Sequence, residues 1–215
     1  MMSEHSSINS ESKPSPINIV VGYAWGKNEK GLIDPTKDQR WKFLKKKAES
    51  ASNAVRTVAS KRPGKFSLDV RIRRLRARHG DMIINAVRSR IEDADILIMD
   101  IGSDDDGCFN SNVLIELGIA LGFSHHLKQS LFVLKPKSQK LPSDLAGFLT
   151  TEYATNKSQI KLLDGRGFHA ALRSTIQRLA EQRLMIGPQA NNAVSTEDED
   201  AADAHQTTGD NDAAS

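Results

Sequence analysis

"ADILIMD", residues 94–100, is the stretch on which the fold turns. Ala94, Ile96, Leu97, Ile98 and Met99 make it nearly continuously apolar, and Asp100 closes it. A strand with one wet face alternates, whereas a run buried on both faces is what a central strand of a parallel sheet requires. Such a strand needs crossover helices before and after it.

The chain supplies them. Downstream, "NSNVLIELGIALG" (110–122) reads as a helix, "SLFVLKP" (130–136) as another buried strand and "GFLTTEY" (147–153) as the last strand. Phe168, Leu172, Ile176 and Leu179 stripe a closing helix that stops before Gly187-Pro188. Upstream, Ile84, Val87 and Ile91 mark a helix that Asp81 is placed to cap. "FSLDVRIRRL" (66–75) alternates as a strand near a sheet edge does. Trp41, Leu44, Ala48, Ala51, Val55 and Val58 form the stripe of a long first helix with a Lys-rich outer side, and "INIVVGY" (17–23) is a buried first strand. The spacing predicts an α/β fold, a flavodoxin-like parallel five-stranded sheet with helices on both faces. Ligands of such sheets bind at the carboxyl ends of the strands, here in the loops after Tyr23, Asp100 and Lys135.

Composition sets the outer bounds. The 215 residues suit one α/β domain over 17–187, with a flexible leader at 1–16 and an acidic tail at 188–215. That tail carries seven acids and no Lys or Arg, too little apolar surface to fold, and is expected to be disordered. The remainder holds 30 bases against 20 acids, about +10. Cys108 is the only cysteine, so there is no internal disulfide and no Cys-based zinc site. The first residues lack a signal-peptide pattern and no apolar run is long enough for a membrane helix, so the expectation is a cytoplasmic protein without a membrane partner.

Glu116 interrupts the apolar run of the 110–122 helix. It shares a face with Asn112, Val113, Ile119 and Ala120. A capping box does not explain it, because the residue three before it is Val113 rather than Ser or Thr. A partly exposed Glu near a helix N-terminus would explain it without function. Its context favours function: the helix follows a loop rich in acids and amides, itself after Asp100 at the carboxyl end of the central strand, which puts Glu116 in the first or second turn facing the crevice. Gly118 and Gly122, each unfavourable in a helix by about 1 kcal/mol relative to Ala, are expected either where backbone or ligand approaches closely or where the helix packs on the sheet.

Together "ADILIMDIGSDDDG", "NSNVLIELGIALGF", "LFVLKP" and "LPSDLAGF" resemble the prokaryotic TIR-like nucleotide-binding domains, including the TIR domains found with CD-NTase defence systems. The helix is also similar to the one bearing the catalytic Glu of nucleoside 2-deoxyribosyltransferases. The resemblance spans roughly 94–153. It implies a TIR-like fold and hydrolysis of an N-glycosidic bond, most often the nicotinamide–ribosyl bond of NAD, in antiviral defence. The family's acidic residue falls on Glu116 as the catalytic carboxylate. NAD enters as substrate, with no cofactor implied, and activity is expected in a homo-oligomer or with a defence-system partner, since neighbouring subunits complete such sites. Departure of nicotinamide leaves an oxocarbenium-like ribose that one carboxylate can stabilise or attack. A carboxylate with an ordinary pKa, anionic at neutral pH, is sufficient.

The substrate-binding candidates are Tyr23, Trp25, Gly26, Asp100, Asp104 and Asn112. Tyr23 and Trp25 offer rings to stack on a base, or pack beneath their own loop. Gly26 lies among Gly22, Gly31, Lys27 and Lys30, which can approach phosphates, although the spacing matches neither a P-loop nor a Rossmann fingerprint. Asp100 holds a ribose hydroxyl or caps its loop, and Asp104 lies in that loop. Asn112 orients Glu116 or caps the helix, the cap being favoured. His125 and His126 are adjacent and cannot share a helical face, so no metal site is expected. Two readings compete with NAD hydrolysis: a deoxyribosyltransferase-like enzyme, and a non-catalytic nucleotide-sensing module of a defence complex. A weaker rival is nucleic-acid binding through "RIRRLRARHG" (71–80) and "KFLKKK" (42–47), whose cations solvated strand and helix faces also explain.

Overall fold

The computed structural model describes residues 15–24, 35–61, 68–75, 83–102, 109–123, 130–141, 150–156 and 159–186. The leader before Ser15, the acidic tail, Asp81 and most of "LPSDLAG" lie outside them. In chain order the elements are β1 (Ile17–Tyr23), α1 (Pro35–Ala59), β2 (Val70–Arg74), α2 (Ile83–Glu92), β3 (Ile96–Asp100), α3 (Ser111–Phe123), β4 (Leu131–Pro136), β5 (Thr150–Asn156), β6 (Gln159–Leu162) and α4 (Gly165–Ile186).

One sheet holds them in the order β2-β1-β3-β4-β5-β6. The first five strands are parallel in the flavodoxin-like order 2-1-3-4-5. The sheet has six strands rather than the expected five, because β6 folds back antiparallel on β5. Only two residues join β5 to β6, a link that permits a hairpin and no crossover. The segment "QIKL" is too short and too polar to announce itself as a strand.

The alternation of the strands divides the core into two layers. Ile17, Ile19, Val21 and Tyr23 of β1 and Ile96 and Ile98 of β3 meet Leu44, Ala48 and Ala51 of α1 and Phe168, Leu172 and Ile176 of α4. On the other face Val20, Leu97, Met99 and Val133 meet Val87 and Ile91 of α2 and Val113, Leu117 and Ala120 of α3. All five residues of β3 are buried, the double-sided burial its apolar run requires. Each such Ile or Leu contributes about 1.5–3 kcal/mol. β2 is one of the two edge strands, and its exposed Arg71 and Arg73 blunt that edge. Gly22 lies against Met99, whose sulfur would stand 2.5 Å from a Cβ there, so a larger residue would have to displace the Met99 side chain. Ile84, expected on the inner stripe of α2, is instead 60% exposed.

Candidate active site

The sheet order reverses beside β1. From β1 the chain crosses through α1 to β2 on one side, and from β3 it crosses through α3 to β4 on the other. The crevice at the carboxyl ends of β1 and β3 is where such sheets take ligands. Tyr23 and Asp100 are register partners there.

Their side chains turn toward α1. Asp100 is fully buried, and its Oδ1 accepts hydrogen bonds from the Tyr153 hydroxyl at 2.8 Å and from the Gly102 N–H at 3.1 Å. Its Oδ2 faces the buried Arg40 guanidinium at 3.4 Å, and Arg40 also donates to the Gly102 carbonyl at 2.8 Å while lying 5.9 Å from the Tyr153 ring centroid. Asp100 therefore caps its own loop; a carboxylate so enclosed offers no oxygen to a ribose hydroxyl. Tyr23 is buried as well and stacks on Trp41, centroids 6.2 Å apart, so its ring is committed to α1 instead of a base. Arg74 also lies over the Trp41 ring, 4.8 Å from its centroid, and is ion-paired with Asp38.

α3 leaves the same edge on the opposite face. Asn110 caps it: its Oδ1 accepts the Val113 N–H at 3.1 Å, and its own N–H donates to the Ile101 carbonyl at 3.2 Å. Asn112, favoured as the cap, is already the second residue inside the helix and is exposed, because a cap must precede the first helical residue to reach the third N–H. Gly118 and Gly122 are exposed too, and a Cβ on either would meet nothing within 4 Å among the described residues, so the expected close approach is absent there.

Glu116 stands in the second turn of α3, beside the inward stripe of Val113, Leu117 and Ala120. Its Oε2 is buried and has no hydrogen-bond partner among the described residues. Burial alone pushes its pKa up to about 7. An unusual pKa is not needed for the chemistry, since a carboxylate stays anionic at neutral pH unless strongly desolvated; here burial supplies that desolvation.

Glu116 and Asp100 are thus not brought together; they start from one edge and occupy opposite layers. Trp25, Gly26 and Asp104 lie outside the described residues. The sequence reading missed Arg40 and Tyr153, the former hidden in a Lys-rich helix and the latter read only as the end of a strand. It also missed the buried Lys135, whose Nζ donates to Glu152 Oε1 at 2.6 Å and to the Gln139 carbonyl at 2.8 Å at the carboxyl end of β4. An apolar run closing on Lys, next to a polar turn, was the one signal available for it.

Residues 48–155 match the family model described as CAP12/Pycsar effector protein, TIR domain. The chain belongs to this family. The match begins inside α1 and runs through β2 to β5, so it covers both Asp100 and Glu116 and extends well upstream of 94–153. Membership makes the chain a TIR-type, defence-related domain. No curated protein matches it. Among solved structures, the metal-soaked Flv1 flavodiiron core from Synechocystis sp. PCC6803 is similar at 9% identity and a TM-score of 0.34, covering 80% of this chain and 37% of that one. A likeness that slight carries no argument. Among the described residues of this TIR-type domain, no helix is long and apolar enough to cross a membrane.

Proposed function

We propose that this domain is an N-glycosidase that hydrolyses the nicotinamide–ribosyl bond of NAD in antiviral defence, with Glu116 as its carboxylate. The observation that carries the reading is the buried Glu116 Oε2 without a hydrogen-bond partner among the described residues, on a helix that begins at the ligand-binding edge of the sheet. A buried polar atom left without a partner costs about 1–3 kcal/mol, a cost a bound ligand removes.

The chemistry fits that carboxylate. The bond between the anomeric carbon and the pyridinium nitrogen breaks, nicotinamide leaves neutral, and positive charge spreads over the ribose ring. An anionic Glu116 beside that ring stabilises the charge in a dry site, where electrostatic interactions are strongest. Water then adds to the anomeric carbon, giving ADP-ribose and one proton, and a carboxylate with a pKa about 7 can accept that proton. The pyridinium of bound NAD is itself cationic and draws Glu116 toward its ionised form.

The basic stretches favour solvated faces over a nucleic-acid track. Lys42, Lys45 and Arg71 pair with Asp38, Glu49 and Asp69.

The test is mass-spectrometric profiling of NAD and deoxynucleosides incubated with purified wild type and Glu116→Gln at concentrations that favour assembly. Nicotinamide released by wild type alone supports the reading. Base exchange between deoxynucleosides with NAD intact would replace it with a transferase. Substrates left intact by wild type would point to the nucleotide-sensing module.

A further inference from the structure

Arg40 and Asp100 form a buried ion pair beside Tyr153, itself a member of the core on the α1/α4 side of the sheet. Replacing a buried ion pair by apolar side chains is often neutral or stabilising, so its presence at the end of the central strand calls for a use other than stability. Its contacts converge on one residue. Asp100 receives the Gly102 N–H, Arg40 donates to the Gly102 carbonyl, and Tyr153 locks Asp100 from β5. Both backbone groups of Gly102 are held.

Gly102 is also fixed by space. A Cβ there would overlap the Tyr153 hydroxyl and come within 2.7 Å of the Pro136 ring. From this clamped residue a short chain of backbone contacts reaches α3. Gly102 bridges to Phe109, the Asn110 N–H donates to the Ile101 carbonyl, and Asn110 caps the Val113 N–H three residues before Glu116. The loop's two ends are thereby pinned to each other, and the start of α3 is pinned to both.

We propose that Arg40, Asp100 and Tyr153 are positioning residues: by clamping Gly102 at the end of β3 they set where α3 begins and hence where the Glu116 carboxylate stands. The inference rests on the reading of Glu116 as the reacting carboxylate, but it can be tested without turnover. The cluster lies in the α1/α4 layer and Glu116 on the α3 side, and the backbone contacts of Gly102 with the Asn110 cap join the two.

Tyr153→Phe keeps the packed ring and removes one hydrogen bond to Asp100. Two quantities are read: the titration of Glu116 by NMR of 13C-carboxyl-labelled glutamate between pH 4 and 9, and kcat against KM for nicotinamide release. A loosened α3 start admits water to a group whose pKa is raised by burial alone, so its titration midpoint falls from about 7 toward the ordinary carboxylate range. kcat falls about tenfold with KM little changed. Gly102→Ala, which displaces the Tyr153 hydroxyl from the other side, produces the same two changes. Asp95→Asn weakens the 2.7 Å Arg183 pair at the opposite edge of the sheet and is the control for general softening. If Tyr153→Phe and Gly102→Ala lower the melting temperature while Glu116 titrates as in wild type, or if Asp95→Asn shifts that titration equally, the proposal is overturned. Should wild type release no nicotinamide, the NAD reading fails on its own and the titration still decides the positioning role.

Discussion

Asp100 and Glu116 are two acids that begin from one edge of the sheet and meet opposite fates. In the α1/α4 layer Asp100 is enclosed by Arg40, Tyr153 and the Gly102 N–H, so its charge has partners. In the α2/α3 layer Glu116 is desolvated, and one of its oxygens has no hydrogen-bond partner among the described residues. Burial penalises both; among the described residues only Asp100 has the penalty offset by partners. The difference separates a buried acid whose charge has partners from one with an oxygen that lacks them among the described residues, a distinction that burial alone would not draw.

The largest expected effect sharpens that contrast at Glu116. Glu116→Gln should lower kcat for nicotinamide release on the order of 10²–10³-fold, the loss typical of removing one group that stabilises transition-state charge. Single-turnover kinetics at saturating NAD would measure it, and a loss below tenfold would place the chemistry elsewhere.

At Asp100 the expected damage is to stability. Asp100→Asn removes the charge that faces the buried Arg40 guanidinium and should cost about 3–5 kcal/mol in denaturant unfolding at pH 7. A cost under 1 kcal/mol would mean that Arg40 reaches water and that the two acids are less different than their surroundings imply.

The same assay carries the opposite sign for Glu116. Its folded pKa is raised from 4.5 to about 7, so between those values the native state binds more protons than the unfolded chain and stability falls as pH rises. The loss is complete above about pH 7 and absent below about 4.5. Glu116→Gln should therefore be more stable than wild type at pH 8 by at most about 3 kcal/mol, and equal to it near pH 4.5. Equal stability of the two proteins at both pH values would show that Glu116 is hydrated.

The smallest effect is the surface reference. Arg88 and Glu92 pair at 2.8 Å, one helical turn apart on α2, with both side chains about half exposed. Replacing both by Ala should change stability by less than about 0.5 kcal/mol, since such pairs are screened by water. A larger change would question the scale on which the two buried acids are compared.

Much of the fold was legible because periodicity is a local property. The unbroken apolar run of β3 specified a central strand, the alternation of "VRIRR" an edge, and the three- and four-residue spacings of α1 and α4 their buried stripes. Glu116 was legible as the one acid out of place on an apolar helix. The sheet's sixth strand was not, since β6 is four residues long and exists by pairing with β5.

What the sequence determined by itself is the order of the elements, the doubly buried centre and the identity of the anomalous acid. Tertiary structure alone decided that Asp100 has partners and that one Glu116 oxygen has none among the described residues. Arg40 reaches Asp100 across 60 residues and Tyr153 across 53, while the pKa of Glu116 is set by the surroundings that exclude water from it. Hydrogen-bond partners and desolvation depend on what the folded chain brings within a few ångströms, and no spacing along the sequence encodes that distance.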